Sequence, residues 1–141
     1  MEDSLVQLRL AASTKPDDDR VQFNLGNALK AAGRRDDAIR VFKRALVLNP
    51  DDADVHNNLG VLLADRRDYQ GAIAQFSQAL TLRERYPEAH NNLALALGAL
   101  GRFDAALASV SRAIELRPGF ADARENLQWL QEAQRARGSR K

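Results

Sequence analysis

A chain of 141 residues, 45% hydrophobic and 28% charged, has the size and make-up of one folded domain, which excludes a largely disordered protein. No apolar run approaches the about 18 residues that a membrane-spanning helix needs, and the start MEDSLVQLRL lacks a cleavable signal pattern, so a cytoplasmic protein is expected. Without cysteine there is no disulfide framework and no thiolate, and the formal charge of +2 is concentrated at the end of the chain, in Arg135, Arg137, Arg140 and Lys141.

In chain order, residues 3–13 place Leu5, Leu8, Ala11 and Ala12 at helical intervals and run into Lys15-Pro16, which predicts one amphipathic helix before a boundary. Next, VQFNLGNALKAAG keeps its apolar residues at helical spacing and stops at Gly33. DDAIRVFKRALVLNP then opens on aspartates and closes at Pro50. This pair of helices recurs. A shift of 34 residues superposes Asn24-Leu25-Gly26 on Asn58-Leu59-Gly60 and Asn92-Leu93-Ala94; it also aligns Ala38, Ala72 and Ala106, then Ala45, Ala79 and Ala113. First helices are predicted at 19–32, 53–65 and 87–99, and second helices at 36–48, 69–82 and 103–116. Residues 120–136 reproduce a first helix around Asn126-Leu127.

The organisation is therefore one domain over 1–136. It comprises a half repeat at 1–16, repeats at 19–52, 53–86 and 87–120, and a capping helix at 121–136, followed by a basic tail at 137–141. A repeat of this length cannot bury its own apolar face and must stack on a neighbour, as in a solenoid. Leu25, Leu29, Ile39, Phe42 and Leu46, with their counterparts Leu59, Leu63, Ile73, Phe76 and Leu80 and then Leu93, Leu97, Leu107, Val110 and Ile114, are the predicted core. Gly26, Gly60 and Ala94 are expected to face Ala38, Ala72 and Ala106, so that paired helices approach closely. Gln131 falls where Leu29, Leu63 and Leu97 are apolar, as a terminal repeat requires.

This pattern resembles the tetratricopeptide repeat family, whose Leu-Gly pair, aromatic, two alanines and closing proline are matched over residues 19–120. The sequence departs from it at Arg35, where Tyr69 and Phe103 supply the aromatic, and at Glu84, which replaces Pro50 or Pro118. Arg67 sits where Gly33 and Gly101 end the first helix, and is expected to be left-handed at a cost of about 1–2 kcal/mol. The resemblance implies an all-α, right-handed solenoid of three repeats with an extra helix at each end, whose first helices line a concave groove.

Asn24, Asn58, Asn92 and Asn126 recur in one phase, Asn57 and Asn91 double two of them, and Asn27, Val61, Leu95 and Trp129 lie one turn further on. A carboxamide donates and accepts at once, so a ladder of them can hold peptide backbone. The arrangement is similar to the asparagine ladder of O-linked N-acetylglucosamine transferase repeats, in the groove only. The competing reading is that the amides bond to their own backbone or the next repeat. Trp129 reads either as a groove anchor or as a cover for the open end of the core. With Phe23, these residues are the candidate peptide-binding groove.

A carboxylate clamp of the kind this family uses on chaperone tails keeps Asn27 and Asn58. It lacks its cations, because Phe23, Glu88 and Asn92 stand in their places. His56 and His90 occupy equivalent sites on successive repeats, too far apart to share one metal, and read as structural. No phosphate loop, zinc spacing or nucleophile elbow occurs, so no catalytic residue, cofactor or metal is expected. The partner is expected to be another protein or peptide and not nucleic acid, the basic tail reading as a solvated terminus. Two further readings are head-to-tail or dimeric self-assembly through the half repeats and a segment excised from a larger adaptor.

Overall fold

The computed structural model describes residues 2–140 and consists of helices α1 (Glu2–Thr14), α2 (Asp19–Ala31), α3 (Arg35–Leu48), α4 (Ala53–Asp65), α5 (Tyr69–Leu82), α6 (Pro87–Ala99), α7 (Phe103–Leu116) and α8 (Ala121–Gly138). No strand occurs among the described residues. Packing follows the chain: α2 lies on α3, α4 on α5 and α6 on α7, and each pair stacks on the next, with further contacts between α4 and α6 and between α6 and α8. Nearest-neighbour packing of this kind is an all-α solenoid of three helical hairpins, with α1 packed on α2 at one end and α8 on α7 at the other.

Local chemistry sets the helix ends. Asp18 and Asp52 are N-caps that accept from the backbone N–H groups of Arg20 and Val21 and of Asp54 and Val55. Pro87 begins α6, where its missing N–H is not needed. The first helix of every repeat stops on a left-handed residue, Gly33 at φ 73°, Arg67 at φ 62° and Gly101 at φ 74°. The following N–H then closes back onto the helix: Arg34 onto Leu29 O, Asp68 onto Leu63 O and Arg102 onto Leu97 O, each 2.9 Å. Arg67 alone meets this geometry with a side chain. Arg67→Gly is therefore expected to stabilise the protein by about 1 kcal/mol, a rise of about 3 °C in Tm. Thermal unfolding followed by circular dichroism checks this, and an unchanged or lower Tm would refute it.

The core is a row of layers, and it corrects the expected role of the small residues. A Cβ on Gly26 would lie 2.5 Å from the Phe42 ring, and one on Gly60 would lie 2.5 Å from the Phe76 ring. Both glycines thus make room for an aromatic one helix over, while Ala38, Ala72 and Ala106 are buried alongside. In the third repeat the ring is replaced by Val110, and Ala94 joins the same cluster. Leu46, Leu63, Ile73, Leu80, Leu93, Leu107 and Ile114 are only partly buried, whereas Leu62, Ala96 and Leu130 carry full core positions.

At every repeat boundary a side chain donates to the carbonyl six residues earlier. Gln22 Nε2 reaches Pro16 O at 3.2 Å, His56 Nε2 Pro50 O at 2.8 Å, His90 Nε2 Glu84 O at 2.8 Å and Arg124 Nε Pro118 O at 2.7 Å. Both histidines are thus staples of the inter-repeat turn. The staple needs only a carbonyl acceptor, so Glu84 serves as well as proline does.

The capping helix runs further than expected. α8 ends at Gly138, and Arg137 donates to Gly101 O at 2.5 Å with its guanidinium over Phe103, which places it in the cap instead of a free tail. Leu130 is fully buried, and Gly98 lets it approach, since a Cβ there would lie 2.5 Å from Leu130 Cδ2. Gln128 and Gln131 are exposed, so the end of the array is polar.

Candidate functional site

The six asparagines of the ladder do not act alike. Adjacent positions on a helix differ by about 100° of rotation, and this separates Asn57 and Asn91, each 6% exposed, from the half-buried Asn58, Asn92 and Asn126. The half-buried set donates across the repeats: Asn58 Nδ2 to Asn27 Oδ1 at 2.9 Å, Asn92 Nδ2 to Asn57 Oδ1 at 3.1 Å and Asn126 Nδ2 to Asn91 Oδ1 at 3.0 Å. Lys30 Nζ lies 3.5 Å from Asn58 Oδ1. The ladder therefore ties successive first helices together. Phe23, where the first repeat lacks an Asn57 counterpart, packs toward the core with its ring centroid 6.5 Å from that of Phe42. Asn24 is exposed, with no side-chain hydrogen bond to another described residue.

One consequence is a stability cost at these amides. Asn92→Ala leaves the buried Asn57 carbonyl without its donor, at about 1–3 kcal/mol. Urea unfolding of Asn92→Ala beside Asn24→Ala, which breaks no such pair, measures it. Equal midpoints would show that the amide pairing contributes nothing.

Four of the expected groove residues do converge. Val61, Asn92, Leu95 and Trp129 line one open pocket of about 430 Å³ between α4, α5, α6 and α8, together with Ala64, Asp65, Tyr69, Phe76, Ala96 and Ala99. Leu95 is 37% and Trp129 47% exposed, so large apolar side chains face solvent at its mouth. Sequence reasoning stopped one turn short: Ala64 and Asp65 follow Val61, and Ala99 follows Leu95, at the i+3 or i+4 spacing that continues the same stripe. Tyr69, read only as the aromatic of the repeat pattern, forms a side of the pocket.

The electrostatics elsewhere are structural. Arg83 bonds both Asp54 oxygens, at 3.0 and 3.3 Å, and the Tyr86 hydroxyl donates to Asp54 at 2.7 Å. The hydrogen bonds from Arg83, against partial burial, and then that from Tyr86 hold the Asp54 carboxyl below its ordinary range. Burial first, then Asp54, push the Tyr86 hydroxyl above its ordinary value. The bidentate hydrogen bonds of Arg112 likewise hold Glu84 low. These clasps join α4 and α7 to the turn between α5 and α6 and lie outside the pocket lining. Among the described residues no three His, Asp or Glu side chains are grouped to hold a metal, and no helix is long and apolar enough to cross a membrane.

Tetratricopeptide repeat family models match residues 23–90 and 87–120. No curated protein matches the sequence significantly. Among solved structures, the MamA protein superposes with a TM-score of 0.87 at 24% identity over 96% of this chain and 74% of that one. The first tetratricopeptide domain of Spaghetti (RPAP3), solved bound to the HSP90 peptide SRMEEVD, gives 0.80 at 22% identity over 82% and 91%. The Arabidopsis OM64 tetratricopeptide domain gives 0.79 at 21% identity over 81% and 94%. At these identities the likeness establishes the fold. With family matches spanning all three hairpins and the same stacking in solved relatives, the chain belongs to the tetratricopeptide repeat family, and its architecture is that of a protein-interaction scaffold.

Proposed function

We propose that the protein binds a peptide or helix of a partner protein in the groove lined by its first helices, with the pocket of Val61, Leu95 and Trp129 as the anchor point. The observation that carries this reading is the exposure of Leu95 and Trp129 on the wall of a concavity of about 430 Å³. Apolar side chains left open in a recess mark the place where a partner's side chain is desolvated. The amide pairs keep the first helices in register, and Asn58, Asn92 and Asn126 remain half-exposed. Affinity near micromolar is expected, because a short groove must offset the ordering of a flexible ligand.

Trp129 is the single tryptophan, so its emission reports occupancy directly. A random peptide library is panned in parallel on the wild type and on a Val61→Gln/Leu95→Gln variant of matched folding, and recovered peptides are titrated against Trp129 fluorescence. Peptides that bind the wild type, shift the emission and fail on the variant support the reading. Peptides that bind both proteins equally defeat it.

A feature of α1 favours a second reading, self-assembly. Val6 and Leu10 are 64% and 65% exposed on this helix. The exposed Gln128 and Gln131 on α8 oppose it. Light scattering over a concentration series decides, a constant monomer mass removing it.

A further inference from the structure

The anchor pocket carries charge of one sign only. Of Asn92, the Nδ2 is engaged with Asn57, and the carbonyl oxygen has no partner among the described residues. The one charged side chain of the lining is the Asp65 carboxylate, with the Tyr69 hydroxyl and the Trp129 indole N–H as its other polar groups. The nearest cation to Asp65, Arg35 Nε, lies 3.6 Å away, beyond a good hydrogen bond, and both side chains are about half exposed, so that pair holds weakly. The open Asn92 carbonyl and the weakly compensated Asp65 charge suit a ligand that brings N–H donors and positive charge.

The aromatic residues point the same way. Phe23 packs on Phe42, and Phe76 is fully buried. Three others each carry an arginine: Arg83 over Tyr86 at 4.6 Å, Arg117 over Phe120 at 4.9 Å and Arg137 over Phe103 at 5.8 Å. Tyr69 and Trp129 are the two that have neither a stacked partner nor a cation among the described residues, and both line this pocket. An aromatic face attracts a guanidinium, more so where water is partly excluded. Arginine combines such stacking with a bidentate fork for carboxylate; lysine supplies only a compact, strongly hydrated charge.

We propose that the pocket receives an arginine side chain of the partner protein, its aliphatic stem against Ala64, Ala96 and Ala99, and its guanidinium on Asp65 and the faces of Tyr69 and Trp129. This rests on the groove being the peptide site. It assigns the partner a basic segment, opposite in charge to the acidic SRMEEVD peptide described for the Spaghetti (RPAP3) domain.

The same panned library tests it. Peptides enriched on the wild type over Val61→Gln/Leu95→Gln are expected to carry arginine beside an apolar residue. Exchanging that arginine for citrulline, equal in shape but uncharged, is expected to weaken binding about tenfold. On Asp65→Asn, the preference for arginine over citrulline is expected to shrink to the part that the Tyr69 and Trp129 faces supply, and Arg35→Ala, which frees Asp65, is expected to bind the arginine peptide more tightly than the wild type. If the enriched peptides are acidic, or bind as well with citrulline, while still failing on the double variant, the arginine assignment is overturned and the groove reading survives. If nothing distinguishes the wild type from the double variant, the groove reading falls, and the arginine assignment falls with it.

Discussion

Gly60→Ala is expected to destabilise the protein by about 2–3 kcal/mol, and adding Phe76→Val is expected to restore most of that loss. The added methyl would lie 2.5 Å from the Phe76 ring, closer than side-chain carbons approach, and that ring is 1% exposed with nowhere to retreat. Either the ring leaves its rotamer or α4 and α5 separate, and both forfeit packing along the hairpin. Phe76→Val alone opens a cavity and costs about 2 kcal/mol. The two defects complement each other in volume. The third repeat already holds this combination, with Ala94 and Val110 in one buried cluster. Urea unfolding of the wild type, both single variants and the double variant closes a mutant cycle. A double variant as unstable as the sum of the singles would show that the glycine is there for another reason.

His56→Ala is expected to cost about 2–4 kcal/mol, and His56→Gln less than half of that. The imidazole is 8% exposed, its Nε2–H donates to Pro50 O at 2.8 Å, and its Nδ1 lies 2.7 Å from the Gln75 carboxamide. Alanine strands the Pro50 carbonyl and empties a packed site. Glutamine keeps a donor, as Gln22 shows at the equivalent boundary, where its Nε2 reaches Pro16 O. Thermal and urea unfolding of the three proteins rank them. If glutamine proves as damaging as alanine, ring packing outweighs the staple.

Helix positions were legible to within a residue or two: second helices expected at 69–82 and 103–116 are α5 (Tyr69–Leu82) and α7 (Phe103–Leu116). The left-handed Arg67 was legible as well, because its place after the helix matches Gly33 and Gly101. The family followed from the same period. The site was only partly legible. Val61, Leu95, Asn92 and Trp129 meet in one pocket, whereas Asn57 and Asn91 turn inward and Phe23 joins the core.

Whatever depends on spacing along the chain, namely the repeat, the helix ends and the polar end cap, is written locally, because 3.6-residue periodicity and capping chemistry act over a few residues. Whatever depends on which neighbour a side chain meets emerged only when the hairpins stacked. One residue of rotation decides whether an asparagine is half-exposed and donates across the repeats or is buried and accepts there, and the ring against Gly60 comes from a helix 16 positions away. The pocket itself is a gap between four helices, and no segment of the chain contains it.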